Sequence, residues 1–386
     1  MLSDVRILAG EIGPRGTGTP GERAAADYVA ERLLALGLPV ERQVFRAVTS
    51  QNAFALAIAM MSLLAFVTYS LSGALTRWIA AGLALAAAPI LRQTIRTSNN
   101  LFRPLLPQAQ SGNVLARIEP RGEIRRRVVI LAHLDTNRCR LVWQSSAARS
   151  LEPLTYLTLG MLASLGVLYL AGALLGGPGW VWWTSLLPAA YAAGMIITLL
   201  RDDRVPFSCG AHDNAASVAV ALKLGAGLAE KPLNATQVWL AFTGAEETDH
   251  AGLYALLHQH GSTLRTAVFI GLEGLGSGEI VYLTRQGLCA HYRPDENTLS
   301  LAVSAASRHP ELGVKAGEML MEDETGTLRR AGYRAICIAG RDPATGTLPH
   351  WHRADDTVDT ISIPVMESAA KYVMALLEEL DKCAHL

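Results

Sequence analysis

The chain has 386 residues, half of them hydrophobic, with 34 basic and 34 acidic side chains that cancel. Such a balance gives no global field for nucleic acid or acidic polymers, and the apolar excess exceeds what a soluble core of one large or two ordinary domains needs. Five scattered cysteines (Cys139, Cys209, Cys289, Cys337 and Cys383) form no CxxC pair, which favours reduced thiols over a disulfide framework or a zinc knuckle.

The opening segment MLSDVRILAGEIGPRGTGTP lacks the apolar core and cleavage site of a signal peptide, so the N-terminus is expected to stay where it is made. Pro20-Gly21-Glu22 then starts a helix that Gly37 is placed to end. A short strand is expected near Val44-Phe45. Ala53 to Thr76 runs without a charge and, at 1.5 Å per residue, is long enough to cross a hydrocarbon layer of about 30 Å. Trp78 to Leu91 is a shorter apolar stretch containing Pro89; Arg77, Trp78 and Arg92 suit interfacial anchoring, and a buried or re-entrant helix is the alternative. NVLARIEP and RRRVVILAHLD read as strands, the second a buried run that ends on polar residues.

Pro153 to Leu200 carries no charge, and Gly176-Gly177-Pro178-Gly179 divides it into two antiparallel helices, with Trp180, Trp182 and Trp183 suited to an interface. Beyond Arg201, DNAASVAVALKLGAGLAE reads as helix, TQVWLAFT, AVFIGLE and YRAICIAG as strands, and IPVMESAAKYVMALLEEL as the last helix. This alternation specifies an α/β domain. About four transmembrane helices, paired as hairpins over 51–96 and 149–200, therefore interrupt a discontinuous domain made of 1–50, 97–148 and 201–386. Arg42, Arg46, Arg92, Arg96, Arg103, Arg138, Arg140, Arg149, Arg201 and Arg204 flank the hairpins on the α/β side, whereas of the arginines only Arg77 falls in either far-side turn. By the positive-inside rule the α/β domain faces the cytoplasm, as expected of an integral protein of a bacterial plasma membrane. Gly160, Ala163, Gly166, Ala171 and Gly172 would permit close helix contact in a homodimer built through the hairpins.

Taken singly, a His-x-Asp pair is more often structural, and Glu-Glu is usually a solvated helix end. Placement makes these residues notable. His133, Asp213, Glu246-Glu247 and Glu273 each fall at or just after a predicted buried strand end, where an α/β sheet collects its functional groups. Glutamates following VWLAFTG are costly to bury unless something positive meets them, and a divalent metal would do so.

Five ordered motifs extend this pattern: Arg15-GTGTPGERAAADYVAERLLALG, AHLDT at 132–136, GAHDNAAS at 210–217, FTGAEET at 242–248 and WHRADDT at 351–357. Through them the chain resembles the M28 family of zinc-dependent aminopeptidases, nearly everywhere outside the hydrophobic hairpins. The resemblance implies a mixed central sheet flanked by helices and an enzyme that hydrolyses N-terminal residues from peptides, which the apolar hairpins would anchor in a membrane. It implies two zinc ions bridged by Asp213, one also bound by His133 and Glu273, the other by Glu247 and His352. Glu246 would be the general base, and Asp135 would orient His133 through its other ring nitrogen. Two further readings are glutaminyl-cyclase-like acyl transfer on a similar scaffold with one zinc, and a non-catalytic membrane scaffold.

The sequence departs from the family pattern at several positions. His212 stands where an acidic residue is frequent, and Glu273 where soluble aminopeptidases usually carry aspartate. His350 competes with His352, although the spacing His352-x-x-x-Asp356-Thr357 favours the latter. MEDETGTL only loosely answers the family's Ser-Asp-His stretch, leaving Asp323 and Glu324 as candidates for holding a substrate's amino group. Asp356 is expected to support the segment around His352 or to cap a turn. The second hairpin either anchors the enzyme only or also favours apolar, membrane-derived peptides.

Overall fold

A computed structural model describes residues 1–143, 150–288 and 290–382. Cys289, Cys383 and the expected junction at 148/149 lie outside the described residues. The chain divides into two units, one of Met1–Thr49, Gln108–Ala148 and Pro206–Leu386, the other of Ser50–Pro107 and Arg149–Val205. Ser50, residues 97–107 and residues 201–205, expected with the α/β part, fall in the second unit.

The first unit is built on eight strands: β1 (Val40–Val48), β2 (Gln108–Ile118), β3 (Arg126–His133), β4 (Thr236–Thr243), β5 (Val268–Glu273), β6 (Glu279–Gln286), β7 (Lys315–Met319) and β8 (Arg334–Arg341). They form one mixed sheet in the order β1-β2-β4-β3-β5-β8-β6-β7. β4, β3, β5 and β8 run parallel at its centre, where β4 and β5 are buried at every residue. Near-continuous apolar runs are what a parallel strand covered on both faces requires. β1 and β2 extend the sheet antiparallel on one side, and β6 pairs antiparallel with β8 on the other.

Helices cover both faces. α1 (Pro20–Ala35) starts at Thr19, whose hydroxyl accepts from Glu22 N, and stops at Gly37 (φ 74), where a left-handed residue closes the helix. α1 contributes Ala25, Val29 and Leu33 to one core, beneath β2, β3, β4 and β5.

The second unit contains α2 (Asn52–Ser70), α3 (Ala74–Thr97), α4 (Leu151–Leu174) and α5 (Gly179–Asp202), each long and apolar enough to cross a membrane. The stretch around Trp78 to Leu91 is thus the middle of a 24-residue helix that includes Pro89. Gly176 and Gly177 hold φ of 78° and 81° in the turn between α4 and α5. Close packing within the unit uses small residues: a Cβ on Gly166 would lie 3.0 Å from Leu85 Cα, and one on Gly172 2.1 Å from the Tyr69 hydroxyl. Two of the residues expected at a dimer contact therefore serve the packing of the hairpins on each other. Polar groups close the ends, with Ser50 Oγ and Asn52 Nδ2 donating to Asp203 Oδ1 at 2.7 and 3.0 Å. Leu64, Val67, Leu85, Val167, Leu187 and Ile197 remain exposed along the helices.

The remaining helices belong to the first unit: α6 (Ser217–Glu230), α7 (Ala251–His260), α8 (Glu296–Arg308), α9 (Glu324–Arg330) and α10 (Ile363–Lys382). Of these, α6 and α10 match expected helices, while α7, α8 and α9, together with β6 and β7, were not anticipated.

Candidate metal centre

The parallel strands deliver their side chains to one edge. His133 ends β3, in register with Thr243 at the end of β4, and Glu273 ends β5 beside β3. Just past β4 the chain turns at Ala245, which holds a left-handed φ of 55°. Gly244 is required there, since a Cβ would sit 2.5 Å from Ser111 Oγ and 2.7 Å from Gly112 O. The turn aims two successive N–H groups at Asp135, so that Glu246 N donates to Oδ1 at 3.0 Å and Glu247 N to Oδ2 at 3.1 Å. Thr17 Oγ1 also donates to Asp135 Oδ2, at 2.9 Å.

Asp213 arrives on an irregular turn before α6. Asp356 accepts from His212 N at 2.6 Å and from Asp213 N at 3.3 Å, which fixes that turn. His352 comes from the loop before α10 with a left-handed φ of 51°.

Asp213 joins two buried groups of potential ligands, His133–Asp213–Glu273 and Asp213–Glu247–His352, each with one ligand atom per residue lying within 4.8 Å of the others. His133 Nε2 is 3.1 Å from Asp213 Oδ1 and 3.4 Å from Glu273 Oε2. His352 Nε2 is 3.0 Å from both Asp213 Oδ2 and Glu247 Oε1. Asn214 Nδ2 donates to Glu273 Oε2 at 3.1 Å, and Asn137 Nδ2 to Glu247 Oε2 at 2.9 Å.

These contacts fit cations better than hydrogen bonds alone. His133 Nδ1 faces the main-chain oxygen of Asp135 at 3.0 Å, so in the neutral ring that nitrogen carries the proton and Nε2 turns a lone pair toward two carboxylates. His352 Nε2 has two carboxylate oxygens at equal distance and one N–H at most to offer them. Imidazole and carboxylate ligands in this arrangement suit Zn²⁺.

The electrostatics of the metal-free chain record the same crowding. Burial first, then Glu247 and Asp135, push the Glu246 carboxyl well above its usual range, and burial does the same to Glu273. His133 is raised although burial opposes it, because Glu273 and Glu246 outweigh the desolvation. His352 rises to about 9 against the same opposing burial, chiefly through Glu247 and Asp213. Asp213 is held below the usual carboxylate range by the two imidazoles despite its burial.

Every expected site residue, namely His133, Asp135, Asp213, Glu246, Glu247, Glu273 and His352, lies in this cluster. The expected link between Asp135 and His133 takes a different form: the main-chain oxygen meets the ring, Oδ1 is 3.6 Å away, and the carboxylate caps the Glu246-Glu247 turn. Asp356 supports Asp213 rather than the His352 segment. His350 points away, with Nδ1 3.1 Å from Asp355 Oδ2 and its ring stacked on His212. Asp323 is committed to capping α9 at Gly326 N and to Gln286 and Thr325. Glu324 receives Thr243 Oγ1 at 2.9 Å, and its other oxygen is buried without a partner among the described residues.

Sequence reasoning missed two supports. The Arg15 guanidinium, fully buried, donates to Leu8 O, Gly13 O, Leu134 O, Cys209 O and Gly210 O, tying the loops after β3 and before Asp213. Glu22 accepts from Gly18 N, Ser111 Oγ and Ala245 N, holding the turn that presents Glu246. Both belong to a quoted motif, but only long-range contacts reveal what they hold.

Residues 202–377 match the family model for Peptidase family M28, a span that includes Asp213, Glu246, Glu247, Glu273 and His352 but not His133. No curated protein matches the chain. Among solved structures, a glutaminyl cyclase from Bacteroides thetaiotaomicron is similar at 14% identity and a TM-score of 0.58, over 98% of this chain and 96% of that one. A Zn-dependent exopeptidase from Parabacteroides distasonis is similar at 14% identity and a TM-score of 0.57, over 97% and 94%. BSAP, a zinc aminopeptidase from Bacillus subtilis, is similar at 16% identity and a TM-score of 0.57, over 98% and 94%. At these identities the likeness concerns the fold.

Proposed function

We propose, from the match of residues 202–377 to the family model for Peptidase family M28, a membrane-anchored aminopeptidase that removes N-terminal residues from peptides at a two-zinc site. One observation supports this most: Asp213 is shared by two buried groups of potential ligands, one with His133 and Glu273, the other with Glu247 and His352. In this reading those five residues hold the ions, and zinc supplies a Lewis acid for the scissile carbonyl together with a water acidic enough to ionise near neutral pH.

The protein's own groups carry the protons. Glu246 takes a proton from the attacking water as its oxygen bonds to the carbonyl carbon. The same carboxyl returns that proton to the amine nitrogen as the C–N bond breaks. Asp135 keeps Glu246 on target by fixing the main chain on both sides of its Cα. Burial matters here, because exclusion of water strengthens the pull of each charged group on the next.

α2 to α5 would anchor the enzyme in the bilayer, a reading supported by their length and by their exposed apolar side chains. The likeness to glutaminyl cyclases supports a second reading, cyclisation of N-terminal glutamine with release of ammonia.

Digestion of a mixed-sequence peptide pool by the full chain in detergent, with mass spectrometry of products and metal analysis, separates the two. Stepwise loss of N-terminal residues, two zinc ions per chain, and a Glu246→Gln variant that keeps zinc while slowing turnover by about 10²- to 10⁴-fold are expected. Products lacking only ammonia would establish the cyclase instead, and an active Glu246→Gln enzyme would remove Glu246 as the base.

A further inference from the structure

His250 is buried, stands four residues after Glu246, and opens α7 with a left-handed φ of 49°. Its two ring nitrogens face different elements. Nδ1 lies 3.0 Å from Thr327 Oγ1 on α9, and Nε2 lies 3.3 Å from Glu246 Oε1. Thr327 partners one of the two ring nitrogens, and the other lies within 3.3 Å of the carboxylate proposed as the base. Glu324 Oε2 accepts from Thr243, and no hydrogen bond joins its Oε1 to His250 among the described residues.

The protonation state follows from the surroundings. Burial pushes the ring's pKa down, and Glu324, Asp323 and Asp249 offset only part of that, so a neutral imidazole with a single N–H is present at pH 7. When the Thr327 hydroxyl donates to Nδ1, the ring proton sits on Nε2, facing Glu246.

We propose that His250 is a positioning residue for the general base: its Nε2–H holds Glu246 Oε1, leaving Oε2 as the oxygen that exchanges the proton with water and amine. This rests on the reading of Glu246 as that base. A carboxylate with one oxygen pinned cannot rotate away from the attacking water, and such orientation acts on turnover more than on substrate binding.

Two amide substitutions separate this role from a structural one. Asparagine places a polar atom where Nδ1 was, preserving the tie to Thr327, and it tolerates the left-handed backbone well. Glutamine reaches the Nε2 position and can donate to Glu246. If His250 served only the fold, His250→Asn would be the milder change.

The proposal requires the reverse order in the full-length zinc-loaded chain in detergent, acting on a leucine-initiated tripeptide. His250→Gln should stay within about fivefold of wild type, while His250→Asn should lose about 10- to 100-fold in kcat at unchanged KM and zinc content. Nitrogen-15 spectra of the histidine-labelled, zinc-loaded chain should also show the Nε2–H tautomer at His250. An Nδ1–H tautomer, or His250→Asn turning over at the wild-type rate beside an inactive Glu246→Gln, would overturn the role of His250 alone. An active Glu246→Gln enzyme, or a wild-type chain that cleaves no peptide, would overturn the underlying assignment and this one with it.

Discussion

Crowded carboxylates around two imidazoles set a definite proton inventory at the site. In the metal-free chain His352 titrates at about 9 and His133 is raised too, while the Glu246 and Glu273 carboxyls are held well above their usual range. At pH 7 His352 therefore carries a proton that a metal must displace, because zinc takes imidazole in its deprotonated form. The sign follows directly: as pH rises toward about 9 the competing proton leaves His352, and zinc affinity increases. Titration calorimetry at pH 7 in buffers of different ionisation enthalpy should show net proton release on zinc uptake, with tighter binding at pH 8 than at pH 6. Uptake without proton release would mean that these residues are not the ligands.

Between elements, close approach depends on side chains that are missing. α3 and α4 meet where Gly166 faces the Leu85 backbone, and a Cβ there already lies 3.0 Å from Leu85 Cα. Packing of apolar helices rests on such contacts, since lipid offers no less favourable a neighbour than another helix does. Gly166→Leu should push α4 off α3 and lower the thermal midpoint of the helical unit in detergent, whereas Gly160→Leu, where nothing lies within 4 Å, should leave it unchanged. Equal midpoints for the two variants would contradict the packing described.

The same scale shows what was legible beforehand. β3, β4, β5 and β8 announce themselves as buried apolar runs, and the four long helices by length without charge, because both signals are intrinsic to the segment. β7 is a five-residue strand with three exposed positions, and α9 is short, so neither carries a period to read. At the site, residue types at strand ends pointed to His133, Glu246-Glu247 and Glu273. The capping of the Glu246 turn by Asp135 depends on the backbone angle at Ala245, and the reach of His250 to Glu246 depends on its own left-handed φ. Neither angle is written in the local sequence.

For the whole molecule, the order of segments constrains where the chemistry happens. Both apolar hairpins leave the α/β unit and return to it, so if they span the membrane, all three pieces of that unit lie on one side and the turns at Leu71–Gly73 and Gly176–Gly177 on the other. Arginine is dense where the hairpins meet the α/β unit, at Arg42, Arg46, Arg92, Arg96, Arg201 and Arg204, and the far turns have Arg77. If the hairpins span, a bias of that kind would hold the arginine-rich side in the cytoplasm and give the site access to peptides made inside the cell. Thiol labelling in intact cells tests this directly. With the wild-type chain as reference, Ser72→Cys in the first far turn should react with a membrane-impermeant maleimide, and Glu123→Cys on the exposed surface of the α/β unit should react only after permeabilisation. The opposite pattern would place the site outside and make its substrates extracellular, and labelling of both positions from one side would mean that the first hairpin does not cross the bilayer.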